Sequence, residues 1–308
     1  MKFEQADTQA TSVIVSRNPK SGSGDRSAVV HKLKTLLESS GFSVEVFGDI
    51  DQVCEVAAEL QEQGRLRTVV SAGGDGTASL LINRLPIGTP LTILPLGTAN
   101  LLANFLGFRM DAEQIAQVIR DGKSMLFDVG RANGKIFTVV ASCGFDAAVV
   151  ERLHKHRKGH ISYWTYGIPI LKSIWKYNYP SLKITADGQL IPESKWAFVM
   201  NVPRYAMNLN FVQDADPSDG HLDICTFKKG GLIRGLGYLL AVVMRRHKQI
   251  QATNFVRFKS LKIESDQQVP YELDGDPGGY LPLTIEAVSE GMRLLVSDSW
   301  LQERNSAK

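Results

Sequence analysis

The sequence is poor in the features that define several broad protein classes. Its 308 residues include three cysteines, Cys54, Cys143 and Cys225, far apart and odd in number. That usage excludes a disulfide framework and the ligand spacing of a zinc site, and a reducing cytoplasm fits it. Charge of one sign is also scarce: 35 basic against 32 acidic residues leave a net charge of +3. No general attraction to nucleic acid follows, and nucleic acid is not expected as a partner. Long apolar runs are missing too. The nearest, Leu232 to Met244, is broken by Arg234 and closed by Arg245-Arg246, short of the ~18–20 residues a membrane span needs. The polar stretch Met1 to Thr11 lacks the apolar block of a signal peptide, and there is no internal repeat or low-complexity tract.

What remains is ordinary for a globular chain, 44% hydrophobic and 22% charged, with material for a real core. The length suggests about two domains, and the hydrophobic rhythm divides the chain near residue 127. Before that point strands and helices alternate. Ser12 to Ser16 is a β-branched run, followed by Val29, Val30, Leu33, Leu36 and Leu37 at helical spacing up to Gly41. Phe42–Phe47 reads as a strand and Val53, Val56, Ala57 and Leu60 as a helix. A strand then runs into Gly73, a helix starts near Thr77, Leu91–Leu94 is a further strand and Asn100–Leu106 a helix. Asp111 with Gln114 resembles a capping box. This alternation predicts a doubly wound, mostly parallel α/β sheet, whose ligands bind at the carboxyl ends of the strands.

After residue 127 the pattern turns antiparallel. Asn133-Gly134 and Asp187-Gly188 each sit between two strand-like runs, as type I′ hairpins require. Further runs are Trp196–Val202, Leu222–Phe227, Phe255–Ile263, Leu281–Ala287 and Met292–Val296, a β-sandwich or partly open barrel. Helical stretches interrupt it at about Ser162–Tyr177 and Leu232–Arg246.

The most informative segment is Gly73-Gly74-Asp75-Gly76-Thr77, directly after the apolar run Thr68-Val69-Val70-Ser71-Ala72. Glycines let the backbone turn sharply and approach a ligand. Free N–H groups in such a turn, ahead of a helix, suit phosphate oxygens, and Asp75 is placed to hold the Mg²⁺ that accompanies a nucleoside triphosphate. A ligand-free strand-to-helix turn uses the same residues. Asn18-Pro19-Lys20-Ser21-Gly22-Ser23-Gly24 and Pro95-Leu96-Gly97-Thr98-Ala99-Asn100 also follow strands, and three such loops in one sheet say more than any one. Asp216 to Asp223 is an acidic turn, open to either a divalent cation or a plain Asx turn. Glu272-Leu273-Asp274-Gly275-Asp276 puts three carboxylates around another turn, equally readable as a surface hairpin tip.

Together these segments resemble the diacylglycerol kinase catalytic family, which includes bacterial soluble lipid kinases and the sphingosine and ceramide kinases. The match runs through Asn18–Gly24, Gly73–Thr77, Pro95–Asn100, Asp128–Gly130, Cys143–Asp146, Asp219–Asp223 and Asp274–Asp276, nearly the whole chain in the family's order. The Gly-Gly-Asp-Gly-Thr segment alone is shared with NAD kinases. The resemblance implies a nucleotide-binding α/β domain over 12–127, joined by a returning segment at about 293–308, and a β-sandwich lipid-substrate domain over 128–292. ATP is expected in the cleft between them, surrounded by Asn18, Ser21, Gly73, Gly74, Asp75, Gly76, Thr77, Thr98 and Asn100. Asp219, with the carbonyls of Asp216 and His221, would hold a structural Mg²⁺. Asp276 would be the general base and Asp75 would orient Mg–ATP. Two positions depart from the family pattern. Leu101 stands where many bacterial members carry Asp, and Asp276 where Glu is frequent.

The implied activity is ATP-dependent phosphorylation of a lipid hydroxyl at a membrane surface, by a cytoplasmic protein peripheral to the inner face of the membrane. A homodimer is compatible with this. His154-Lys155-His156-Arg157-Lys158-Gly159-His160, followed by Trp164, Tyr166, Ile168, Ile170, Leu171 and Trp175, has the chemistry of an interfacial segment, and equally that of a solvated charge run entering a buried helix. Two rivals stand beside the lipid kinase: an NAD kinase, and a catalytically weak lipid- or nucleotide-binding protein, which Leu101 and Asp276 keep open.

Overall fold

The structure is a computed structural model. It describes residues 2–5, 7, 9–17, 26–155, 177–205 and 209–306. Its two compact units are Met1–Phe127 with Glu290–Lys308, and Asp128–Ser289.

The first unit is an α/β layer structure. After a short strand β1 (Phe3–Gln5), β2 (Ser12–Arg17), β3 (Ser43–Phe47), β4 (Leu66–Gly73) and β5 (Pro90–Pro95) form a parallel sheet in the order β5-β4-β2-β3. Every residue of β4 is buried, as expected of a central parallel strand covered on both faces. The helices are α1 (Ser27–Glu38), α2 (Ile50–Glu62), α3 (Asp75–Ile82), α4 (Leu101–Phe105) and α5 (Ala112–Asp121). Val30, Leu33 and Leu37 of α1, and Val53, Ala57 and Leu60 of α2, are the buried stripes that the spacing predicts.

The capping box at α5 is not formed. Asp111 caps the helix by accepting from the Glu113 N–H at 2.9 Å. Gln114 does not return to the Asp111 N–H. It accepts from the Arg109 N–H at 2.8 Å and donates to the Gly107 carbonyl at 3.0 Å, bracing the preceding loop.

The second unit is a β-sandwich. Its elements are β6 (Lys123–Ala132), whose first residues belong to the first unit, β7 (Lys135–Phe137), β8 (Val140–Cys143), α6 (Phe145–Lys155), β9 (Leu182–Ala186), β10 (Gln189–Ser194), β11 (Trp196–Met200), β12 (Arg204–Tyr205), β13 (Leu209–Asn210), β14 (Leu222–Phe227), α7 (Leu232–Val243), β15 (Thr253–Phe258), β16 (Ser260–Glu264), β17 (Pro270–Leu273), β18 (Asp276–Tyr280) and β19 (Leu283–Leu295). One antiparallel sheet runs β15-β14-β11-β8-β17-β18; the other contains β10-β9-β16-β19. Their facing sides share one core, with Leu182, Ile184, Leu261, Ile263 and Ile285 from one sheet and Val199, Ile224, Phe258 and Leu273 from the other. Both hairpin signals hold: Asn133, Gly134, Asp187 and Gly188 all have positive φ, as a type I′ turn demands.

Three runs resolve differently from the expectation. Phe255–Ile263 is two strands in different sheets, β15 pairing with β14 and β16 with β9 and β19. At the break, the Asp187 carboxylate accepts from the Lys259 N–H at 3.1 Å and the Ser260 N–H at 2.8 Å. Those two amides leave the ladder without losing a partner. Conversely, most of the runs Leu281–Ala287 and Met292–Val296 belongs to one strand, β19, irregular at Glu290 with φ +54°. Its early residues pair antiparallel with β16. Its late residues pair parallel with β5 in the first unit, which the C-terminal helix α8 (Asp298–Ser306) completes.

Candidate active site

In the first unit, β4 and β5 are parallel neighbours with Gly73 opposite Pro95, so the turns that follow them leave the sheet side by side. They meet backbone to backbone. A Cβ on Gly74 would stand 3.1 Å from the Gly97 Cα, and a Cβ on Gly97 would overlap the Gly74 Cα. Only glycine at both positions permits this approach. A side chain on Gly73 would in turn collide with Thr77, which is buried under the turn. The Leu96 N–H donates to the Gly73 carbonyl at 2.8 Å, and Arg26, just ahead of α1, donates to the Leu96 carbonyl.

Asp75 and Asn100 fix the second turn. The Asp75 carboxylate accepts from the Leu101 N–H at 2.5 Å, so the residue where the family pattern has Asp contributes its amide here. Asn100 adopts a left-handed conformation, φ 48°. Its amide group bonds Gly97 reciprocally, accepting from the N–H and donating to the carbonyl, both at 3.0 Å. Gly76 and Thr98 are exposed. Of the expected nucleotide-binding set, Gly73, Gly74, Asp75, Gly76, Thr77, Thr98 and Asn100 thus fall on two adjoining turns; Asn18 and Ser21 lie outside the described residues. Arg26 is not legible in the sequence because a lone arginine after a glycine-rich stretch carries no spacing signal.

In the second unit, the three carboxylates of the Glu272–Asp276 turn have separate roles. Asp274 is buried at φ 51°. It accepts from the backbone N–H groups of Thr138 at 2.7 Å, Val139 at 2.8 Å and Val140 at 3.0 Å, and from the Thr138 hydroxyl at 3.0 Å. Burial raises its carboxyl above the usual range, and these four donors pull it back. Glu272, fully buried, accepts from the Gly275 N–H at 2.7 Å. Asp276 alone is accessible, its side chain 32% exposed, with the His154 Nδ1 3.9 Å from its Oδ1.

Glu272 lies opposite Ser142 across the β17–β8 ladder. The Ser142 hydroxyl donates to Asp146 at 2.8 Å, and the Tyr205 hydroxyl approaches Asp146 at 3.4 Å. Burial, and then the Asp146 charge, push Glu272 well above its usual 4.5; burial likewise raises Asp146. The folded chain therefore holds the Glu272 proton more tightly than the unfolded chain, and stability falls as pH rises above the unfolded value. The Glu272→Gln variant is expected to flatten this fall above pH 4.5. The Glu272 proton alone contributes at most about 1.4 kcal/mol per pH unit to the wild-type slope, and denaturant unfolding of both proteins at several pH values measures the difference.

In the Asp216–Asp223 turn, the Asp219 carboxylate and the Asp216 carbonyl, which the family resemblance assigns to a structural Mg²⁺, have protein partners. The Asp219 carboxylate accepts from the His221 N–H at 3.0 Å and pairs with the Arg257 guanidinium at 2.9 Å. The Asp219 carbonyl meets the His221 Nδ1 at 2.8 Å, and the Asp216 carbonyl accepts from the Ser218 N–H at 2.8 Å. No group of three or more metal-ligating side chains occurs among the described residues. The register explains the pairing: Arg257 on β15 lies opposite Asp223 on β14, which brings its guanidinium beside Asp219. The buried Asp128 carboxylate fixes the same turn by accepting from the Gly220 N–H at 2.7 Å. Chelation with EDTA is accordingly expected to leave the melting temperature unchanged, whereas Arg257→Ala lowers it by about 2–4 °C. Differential scanning fluorimetry of both samples checks this.

Comparison with known proteins follows the same division. The diacylglycerol kinase catalytic domain model matches residues 12–132, and the YegS C-terminal NAD kinase beta sandwich-like domain model matches residues 139–296. A diacylglycerol kinase of Staphylococcus carnosus (strain TM300) is 25% identical over 273 residues, 86% of this chain and 88% of its own. One of Staphylococcus saprophyticus is 24% identical over 254 residues, 81% of this chain and 82% of its own. A diacylglycerol kinase structure from Bacillus anthracis str. Sterne has a TM-score of 0.69 at 20% identity, covering 95% of this chain and 99% of that one. An NAD kinase from Archaeoglobus fulgidus, in complex with ATP, has a TM-score of 0.56 at 12% identity, covering 96% and 97%. At these identities the solved structures speak for the fold. The two family models, in order and covering both units, carry the assignment: this chain belongs to the diacylglycerol kinase family.

Proposed function

We propose that this protein is an ATP-dependent lipid kinase that transfers the γ-phosphoryl group to the hydroxyl of a diacylglycerol-like lipid. The observation that carries the reading is the contact of the two strand-end turns at Gly74 and Gly97, with the Asp75 carboxylate beside it. Phosphoryl transfer asks mostly for positioning and charge stabilisation, and main-chain amides in glycine turns at the carboxyl ends of parallel strands supply both. In this account Gly73, Gly74, Gly76, Thr77, Thr98 and Asn100 surround the triphosphate, Asp75 orients Mg–ATP, and Arg26 adds positive charge at the same turns. The lipid oxygen attacks the γ-phosphorus, the bond to the β-phosphate oxygen breaks, and ADP leaves. The hydroxyl proton passes to Asp276, the exposed carboxylate of the three on its turn.

The test offers two acceptors in parallel. With ATP and Mg²⁺, detergent-dispersed diacylglycerol is expected to yield phosphatidic acid, and NAD to yield no NADP. NADP without a phosphorylated lipid would replace the reading by that of an NAD kinase; ATP binding with neither product would replace it by a non-catalytic binder.

A further inference from the structure

Helix α7 is apolar on both sides, and only one of them is used by the fold. Its inner side holds Gly235, Tyr238 and Val242, all buried. A Cβ on Gly235 would stand 2.5 Å from the Trp196 ring, and the Tyr238 ring packs on Phe227 with centroids 4.5 Å apart. This inner contact seats the helix on the β14–β11 side of the sandwich. The opposite side carries Ile233, Leu236, Leu240 and Val243, exposed by 84%, 57%, 59% and 60%, with Met244 beside them. Their spacing of three, four and three residues puts them in one stripe along the helix. A single exposed leucine needs no explanation, but a continuous stripe marks an interaction surface.

The charge around the stripe narrows what it meets. Between Asp223 and Glu264 the sequence has nine basic residues and not one acidic residue. Lys248 and Arg257 are paired with Asp214, Asp219 and Asp223. Lys228 and Lys229 precede α7, Arg234 lies in its first turn and Arg245 and Arg246 follow it, all of them exposed. An apolar stripe with cations at both ends is the pattern of a helix lying in the plane of an anionic membrane interface. At about 1.5 Å per residue the twelve-residue helix is about 18 Å long, too short to cross a ~30 Å hydrocarbon layer. We propose that the outer face of α7 docks this protein on an anionic lipid bilayer.

Charge argues against the other occupants. A second copy of α7 would bring basic ends against basic ends, and residues 156–176, outside the described part of the chain, also contain no acid. The proposal rests on the lipid-kinase reading for its purpose but is tested apart from it.

The test compares wild type with the double variant Leu236→Glu/Leu240→Glu, whose positions are solvent-facing. Both are sedimented with phosphatidylcholine vesicles, with and without phosphatidylglycerol, at low and high salt. Turnover is measured in parallel on a short-chain diacylglycerol dispersed in detergent. Wild type is expected to partition onto the phosphatidylglycerol vesicles and to be released by salt. The double variant should partition at least about tenfold less, with its melting temperature, oligomeric state and detergent turnover unchanged. Equal partitioning of the two proteins, or wild-type binding that ignores phosphatidylglycerol, would overturn the proposal. So would a change of oligomeric state in the variant, which would make the stripe an interface between copies. A drop in its melting temperature would mark a face covered by the chain itself and would overturn it too. Absence of detergent turnover in wild type would count against the kinase reading alone, because the vesicle measurement still reports on α7.

Discussion

Asp75→Asn is expected to lower turnover by about 10²–10³-fold with the fold intact. Asparagine keeps the size of the side chain and keeps an oxygen that accepts from the Leu101 N–H, the bond that ties the two glycine turns together. The variant therefore removes the negative charge while keeping that bond. If Asp75 orients Mg–ATP, the loss appears in the transfer step, while circular dichroism and the melting temperature stay at wild-type values. Activity within about threefold of wild type would place the nucleotide's metal elsewhere. A variant that fails to fold would show instead that this carboxylate serves the turn, and Asp75→Glu then separates charge from geometry.

The second large effect is expected at Asp276. Removing a general base costs about 10²–10⁴-fold, so Asp276→Ala should fold normally and transfer phosphate at no more than a hundredth of the wild-type rate. The neighbouring carboxylate supplies the contrast. Asp274 accepts four hydrogen bonds from buried donors on the Thr138–Val140 segment, and each donor left unpaired costs about 1–3 kcal/mol. Asp274→Ala is expected to lose the fold, Asp276→Ala only the reaction. Comparable melting temperatures for the two variants would contradict this division of roles.

That division shows where sequence reading stops. Glu272, Asp274 and Asp276 are three equivalent carboxylates in the sequence. They become a brace, a clamp and an accessible group only when β17 and β18 form the hairpin and β8 lies alongside. The glycine turns were legible because each combines a local signal, an apolar run followed by glycines, with a rule about where parallel sheets bind ligands. The contact of Gly74 with Gly97 was not, since it depends on β4 and β5 being neighbours. The split of Phe255–Ile263 has no glycine or proline to mark it; it depends on Asp187, more than seventy residues earlier, reaching the two amides at the break. The Asp216–Asp223 turn shows the converse. Its acidic composition suits a cation, and only the fold shows that Arg257 on β15 pairs with Asp219 and Asp223 there. The segment holding Asn18 and Ser21, and most of the basic and aromatic run after His154, lie outside the described residues.

The most direct test of the central claim is transfer of γ-³²P from Mg–ATP to a mixed lipid extract, with thin-layer separation of the products. Wild type and Asp276→Ala run side by side. The account predicts a labelled lipid with wild type that is absent from the variant, and the mobility of that lipid names its class. A folded, ATP-binding wild-type protein that labels no lipid, or a labelled lipid that survives in Asp276→Ala, would contradict it.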